Sequence, residues 1–84
     1  MRLDKFLKVS RLIKRRSVAN DACDGERISV NGKNAKASYQ VKTGDLITVA
    51  FGNKSVTVRV LEIKDTTKKS EASGMYEIVS ESEA

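Results

Sequence analysis

Leu3, Phe6 and Leu7 set the first constraint on this chain. Their i, i+3, i+4 spacing is that of a helix with one buried face. The residues around them are charged. Across Arg2–Arg16 there are seven cations (Arg2, Lys5, Lys8, Arg11, Lys14, Arg15 and Arg16) and one acid, Asp4. At about 100° per residue, Asp4, Lys5 and Lys8 should share the face opposite the apolar one. A short helix of this kind packs by one side and offers charge by the other. Phosphate is the expected counter-ion.

The chain has 84 residues and a net charge of +5. That length allows one domain, burying only about 60–65% of its unfolded surface, with no room for a catalytic domain beside a binding domain. The charge is unevenly placed: +6 over residues 1–16, +2 over 17–61 and −3 over 62–84. A polyanion-facing N-terminus follows. Cys23 is the single cysteine, so no internal disulfide can form, and histidine is absent. No apolar leader and no run near the ~20 residues of a membrane span is apparent. These features predict a cytoplasmic, non-enzymatic protein with no membrane association, no cofactor and no metal. Cys23 reads as core.

The spacing predicts a first helix over about Leu3–Val9, interrupted at Ser10, with Leu12 and Ile13 anchoring the link. Ser17 is a candidate N-cap for a second helix over Val18–Asp24. Val18, Ala19, Ala22 and Cys23 would form its apolar face, and Gly25 its left-handed C-terminal cap. A strand is expected at Arg27–Val30, then a tight turn at Asn31-Gly32. A short return strand fits within 33–38. Val41 should point inward and Thr43-Gly44-Asp45 should turn. Leu46–Phe51 alternates, with Ile47, Val49 and Phe51 on one face. After a turn at Gly52-Asn53-Lys54, Ser55–Ile63 runs back as the second arm of a hairpin. Its alternation slips after Val60, which suggests a bulge. The expected domain therefore covers 1–63. Residues 64–74 read as a mobile loop, 75–79 as a further strand of the same domain, and 80–84 as a disordered acidic tail. The class is α+β: two short N-terminal helices packed on a small, mainly antiparallel sheet.

Arg2–Gly52 resembles the small RNA-binding domain of ribosomal protein S-four, the alpha-L motif. The resemblance rests on R-L-D-K-F-L, K-R-R-S-V-A, G-E-R-I-S-V-N-G-K and V-K-T-G-D, in that order. It implies the alpha-L RNA-binding fold, with RNA held by the helical face. Within that family the chain is similar to the stand-alone bacterial branch, and most so to its ribosome quality control members. It departs from the small heat-shock member, having Phe6 and Lys8 where that relative carries tryptophans, and an acidic rather than long basic C-terminal stretch. The partners implied are rRNA of the large ribosomal subunit, peptidyl-tRNA of stalled complexes, and the factor RqcH, with this chain acting as a monomer in alanine tailing of the nascent chain.

Arg11, Lys14, Arg15 and Arg16 lie within six residues, between anchors that would orient them, so a phosphate clamp is favoured over a solvated loop. Arginine suits that task through its planar fork of donors. Arg16 leads the group because it abuts the start of the second helix, where unpaired N–H groups also favour an anion. Arg2, Lys5 and Lys8 would extend the cationic face. Asp4 has three readings: favourable charge near a helix start, an orienting partner for Arg2, Lys8 or Arg11, or an acceptor for a ribose hydroxyl or base edge. Lys33 and Lys36 would add electrostatic contacts beside the Asn31-Gly32 turn. Tyr39 and Tyr76 fit core packing better than base stacking. A basic face docking an acidic protein is a separate reading.

Overall fold

The computed structural model describes residues 1–64 and 73–83. Helix α1 spans Leu3–Val9, and Leu3, Phe6 and Leu7 are fully buried. Its exit is built by an arginine. Arg11 takes a φ of 65°, donates its N–H to the Lys8 carbonyl, and is followed by an Ile13 N–H that turns back onto the Leu7 carbonyl at 3.0 Å. This reversal buries Ile13.

Helix α2 spans Arg16–Asp24, starting earlier than expected. Ser17 is not its cap: Arg15 holds the cap position in an extended conformation, and no side chain caps the helix. Arg16 is tied to Asp4 and so joins the helix rather than the link. Ala19, Ala22 and Cys23 pack inward, whereas Val18 is 49% exposed. Val18 stands roughly 100° from the centre of that stripe, on its shoulder. Gly25 has φ −83°, so the expected left-handed cap is absent there. Glu26 takes that role instead, at φ 59°. Glycine serves at 25 by close approach, since a Cβ there would lie 3.2 Å from the Asp21 carbonyl oxygen.

The sheet contains β1 (Ile28–Val30), β2 (Lys33–Asn34), β3 (Leu46–Phe51), β4 (Lys54–Val60) and β5 (Tyr76–Glu83), in the spatial order β2-β1-β3-β4-β5. All pairings are antiparallel. Asn31 and Gly32, at φ 52° and 84°, form the two-residue turn between β1 and β2. That pair of positive angles matches the right-handed twist of the flanking strands. Ile28, Val30, Ile47, Val49, Val58 and Val60 supply the sheet's share of the core, which Leu3, Phe6, Leu7 and Ala19 cover from the helices.

The connection from β2 to β3 stitches the N-terminus down. The Leu3 N–H donates to the Tyr39 carbonyl, Asp4 N–H to the Ala37 carbonyl, and Val41 N–H to the Met1 carbonyl. The first two donors of α1 are thereby satisfied by backbone carbonyls, with no side-chain cap from Arg2. Ala37 and Val41 are buried along this segment.

Three expectations for the C-terminal half change. Phe51, on the inward parity of β3, is 45% exposed. β4 ends at Val60, and the register slip lies between Thr57 and Val58. Thr57 faces Ser80 and Val58 faces Ile78, so Val79 of β5 is the extra residue. Residues 80–83 are strand, not disordered tail, because β4 supplies a ladder out to Lys54↔Glu83 and the Ser55 and Ser82 hydroxyls meet at 2.6 Å. Met75 is in a single 3₁₀ turn (Ser73–Met75) and fully buried. Most of the expected loop at 64–74 lies outside the described residues.

Candidate nucleic-acid interface

Asp4 is not on the exposed face of α1 but 2% exposed, because α2 packs across that side. An isolated buried carboxylate is costly. This one is surrounded by donors. Its Oδ1 accepts the Lys5 N–H at 2.8 Å and Arg2 Nε at 3.2 Å. Its Oδ2 accepts Arg2 Nη2 at 3.3 Å, Arg16 Nε at 3.5 Å and Asn20 Nδ2 at 3.5 Å. Burial alone would raise its pKa. The hydrogen bonds from Arg2, Lys5 and Asn20, with the Arg16 charge, outweigh burial and hold it below the ordinary carboxylate value. Of its expected readings, orientation of Arg2 is present, and Arg16 takes the second place instead of Lys8 or Arg11.

The arginine side chains are not consumed by this pairing. Those of Arg2 and Arg16 remain 46% and 51% exposed, against 4% for Asp4. One buried carboxylate therefore fixes two guanidinium groups that still face solvent. Arg16 is the first residue of α2, and no side chain caps that helix. Backbone donors of its first turn thus lie beside two arginines, Arg15 and Arg16.

Asn20 belongs to this site and is not among the residues that the sequence singled out. Its signal is spacing: it stands four residues after Arg16, on the same helix face. Arg2, Asn20, Asn34, Lys36 and Ser38 line one open groove, which Asp24 and Glu26 close at the α2 C-terminal side.

The remaining expected cations spread around this centre. Lys8, Arg11 and Arg15 are exposed, and Lys5 is half-buried. Lys33 is exposed on β2 and opens, with Lys36, onto a second depression beside Asn31 and Tyr39. Lys14 points elsewhere, into a groove it shares with Val18 and Phe51.

A second buried carboxylate holds the loops behind the interface. Asp45 accepts the Tyr39 hydroxyl and the Lys42 N–H at 2.9 Å each, and Asn31 Nδ2 at 3.2 Å. Burial pushes its pKa up, but these three donors and the Lys42 charge hold it low. The same hydrogen bond pushes the Tyr39 phenol up, with help from burial and the Asp45 charge. Asn31 also accepts the Leu46 N–H, so it ties the turn to β3. Tyr39 and Tyr76 both pack against the core. Cys23 is buried, and burial together with Asp4 and Asp24 pushes its thiol up to about 11. Among the described residues no acid, cysteine or histidine cluster could hold a metal ion, and no helix is long and apolar enough to cross a membrane.

The S4 domain family model matches residues 1–47, the segment holding both helices, the Asp4 centre and the Asp45 loop. The chain belongs to the S4 domain family. Its relatives include the RQC P-site tRNA stabilizing factor of Bacillus subtilis (strain 168), 65% identical over 96% of this chain and 94% of that protein. The factor of the same name from Streptococcus pneumoniae is 59% identical, again over 96% of this chain. Among solved structures, the trimeric heat shock protein 15 of Vibrio cholerae superposes with a TM-score of 0.88 at 34% identity, over 94% of this chain and 81% of that one. The arrangement of two helices on an open antiparallel sheet is thus that of S4-type domains, and the Asp4–Arg2–Arg16 cluster lies inside the matched region.

Proposed function

We propose that this S4-domain protein acts in bacterial ribosome quality control, binding rRNA of the large subunit and the peptidyl-tRNA of stalled complexes. The observation that carries this reading is the pair of half-exposed arginines, Arg2 and Arg16, held by one buried acid at an uncapped helix start. Two guanidinium forks held by one carboxylate can each donate paired hydrogen bonds to backbone phosphates. A-form RNA is recognised by shape, phosphate and 2′-OH more than by base sequence. The two tyrosines are engaged in packing, which fits that mode better than stacking on single strands. The names of the Bacillus and Streptococcus relatives support the placement in quality control and the tRNA ligand. In this reading the protein works in the cytoplasm as a monomeric, non-catalytic clamp. It steadies tRNA while RqcH directs alanine tailing of the nascent chain. Arg11, Lys8 and Arg15 lengthen the contact along the backbone, and Lys33 and Lys36 add attraction from the sheet side.

The test is gradient fractionation of cells carrying wild type, Arg16→Ala, or the surface control Lys64→Ala, with crosslinked RNA sequenced from the large-subunit fraction. Wild type and control should sediment with large subunits and crosslink to tRNA; Arg16→Ala should move to the top of the gradient. With purified components, removing one phosphate contact should reduce the slope of log affinity against log salt by about 1. Wild type found with a non-ribosomal RNA would reject the ribosomal role.

A further inference from the structure

Two residues whose sequence pattern assigns them to buried faces end half exposed in the same place. Val18 extends the apolar side of α2, and Phe51 continues the inward alternation of β3. They are 49% and 45% exposed, and both line a groove of about 480 Å³ between the α1–α2 link, α2 and the β3–β4 hairpin. Leu12 and Val49 complete its apolar floor. The charged residues lining it are Lys14 and Arg27, both cations, with no acid among them. Among the described residues neither is engaged in an ion pair.

We propose that this groove docks an acidic protein segment that inserts one bulky apolar side chain between Val18 and Phe51. An apolar floor under a cationic rim selects that combination: the floor supplies buried area and the rim fixes register and excludes basic partners. RNA is the poorer occupant. Bases bind by stacking on aromatic platforms, and here Phe51 is the one ring among aliphatic neighbours. The groove also uses neither Arg2 nor Arg16, so a protein docked there leaves the arginine pair open. The molecule then has two faces with separate partners, and it can couple an RNA to a protein.

The test places a photocrosslinking amino acid at position 18 of the full chain, in large-subunit complexes purified from cells, and maps products by mass spectrometry. The expected product is a peptide rich in Asp and Glu with an adjacent large apolar residue. Reversing the rim charge with Arg27→Glu should reduce its yield about tenfold, and Phe51→Ser should do the same, while affinity for purified RNA stays unchanged. Arg27 is exposed, so that variant keeps the test valid if Phe51→Ser proves unstable. Crosslinks to RNA, to a second copy of this chain, or to a basic or neutral segment would overturn the proposal. So would a yield that Arg27→Glu leaves intact, or no crosslink at all. Loss of RNA affinity in Arg27→Glu would also overturn it, by merging the two faces.

Discussion

Asp4 and Arg16, twelve residues apart, join the first helix to the first residue of the second: Arg16 Nε lies 3.5 Å from Asp4 Oδ2. The contact has opposite meanings for its two members. For Asp4 it is part of what makes burial tolerable. For Arg16 it is an aiming device, because half of that side chain stays in water. Asp4→Asn keeps an acceptor for the Lys5 N–H but loses the charge. Its stability should fall by about 1 kcal/mol, since the arginine partners are solvent-screened. Asp4→Ala, which strands the Lys5 and Asn20 donors, should cost about 2 kcal/mol or more. In both, RNA affinity should drop although a negative charge has been removed from a basic surface. Thermal melts paired with RNA titrations check this. A rise in affinity would mean that Asp4 merely repels phosphate.

Arg11 sits at a positive φ that disfavours any side chain. Arg11→Gly should relieve about 1–2 kcal/mol of strain, partly offset by the greater unfolded freedom of glycine, for a net gain below about 1 kcal/mol. The same variant should bind RNA more weakly, with a shallower salt dependence. A higher Tm together with lower affinity would show an arginine kept for its charge at the expense of the fold.

Asp4 and Asp45 both have pKa values below that of the unfolded carboxylate. Each therefore contributes stability that is fully present above about pH 4 and is lost as pH falls through the folded value. Unfolding should steepen below about pH 4. Asp45→Asn should flatten that limb while lowering stability at neutral pH. Circular dichroism melts between about pH 2 and 7 measure both effects.

Cys23 works in the other direction. Its thiol is raised to about 11, so its contribution is intact below the unfolded value and is lost as pH rises through the folded one. At pH 8 the native thiol should resist iodoacetamide and react once the protein is unfolded, because the thiolate is the nucleophile. Fast alkylation of the native protein would show that α2 opens locally.

The pattern of apolar residues made most of the fold legible. The Leu3–Phe6–Leu7 spacing located α1, alternation located β3 and β4, and Asn31-Gly32 located its turn, because each rests on local geometry alone. What was not legible depended on neighbours distant in sequence. Asp4 reads as a surface acid until α2 is laid across it, and Asn20 acquires its role only through that crossing. Gly25 looks like a left-handed cap, yet the reversal falls on Glu26, because close approach to the Asp21 carbonyl claims the glycine. Residues 80–83 look unstructured by composition, but a partner strand was waiting for them. Arg2 and Arg16 both stood out as cations, and Asp4 was read as a partner of Arg2, Lys8 or Arg11; Arg2 does meet it, but the link to Arg16 appears only once α2 is packed.

The two outer strands of the described sheet have a consequence for behaviour at high concentration. An open strand edge invites a second molecule to add to the ladder, and proteins guard against this with shortness, charge or irregularity. β2 is two residues long. β5 is long, but Val79 interrupts its register and Glu77 and Glu81 are exposed along it. A second β5 laid alongside would bring acid against acid at a kink. The slip in register opposite Thr57 and Val58 thus weakens the outer edge of the sheet as a template for a second copy.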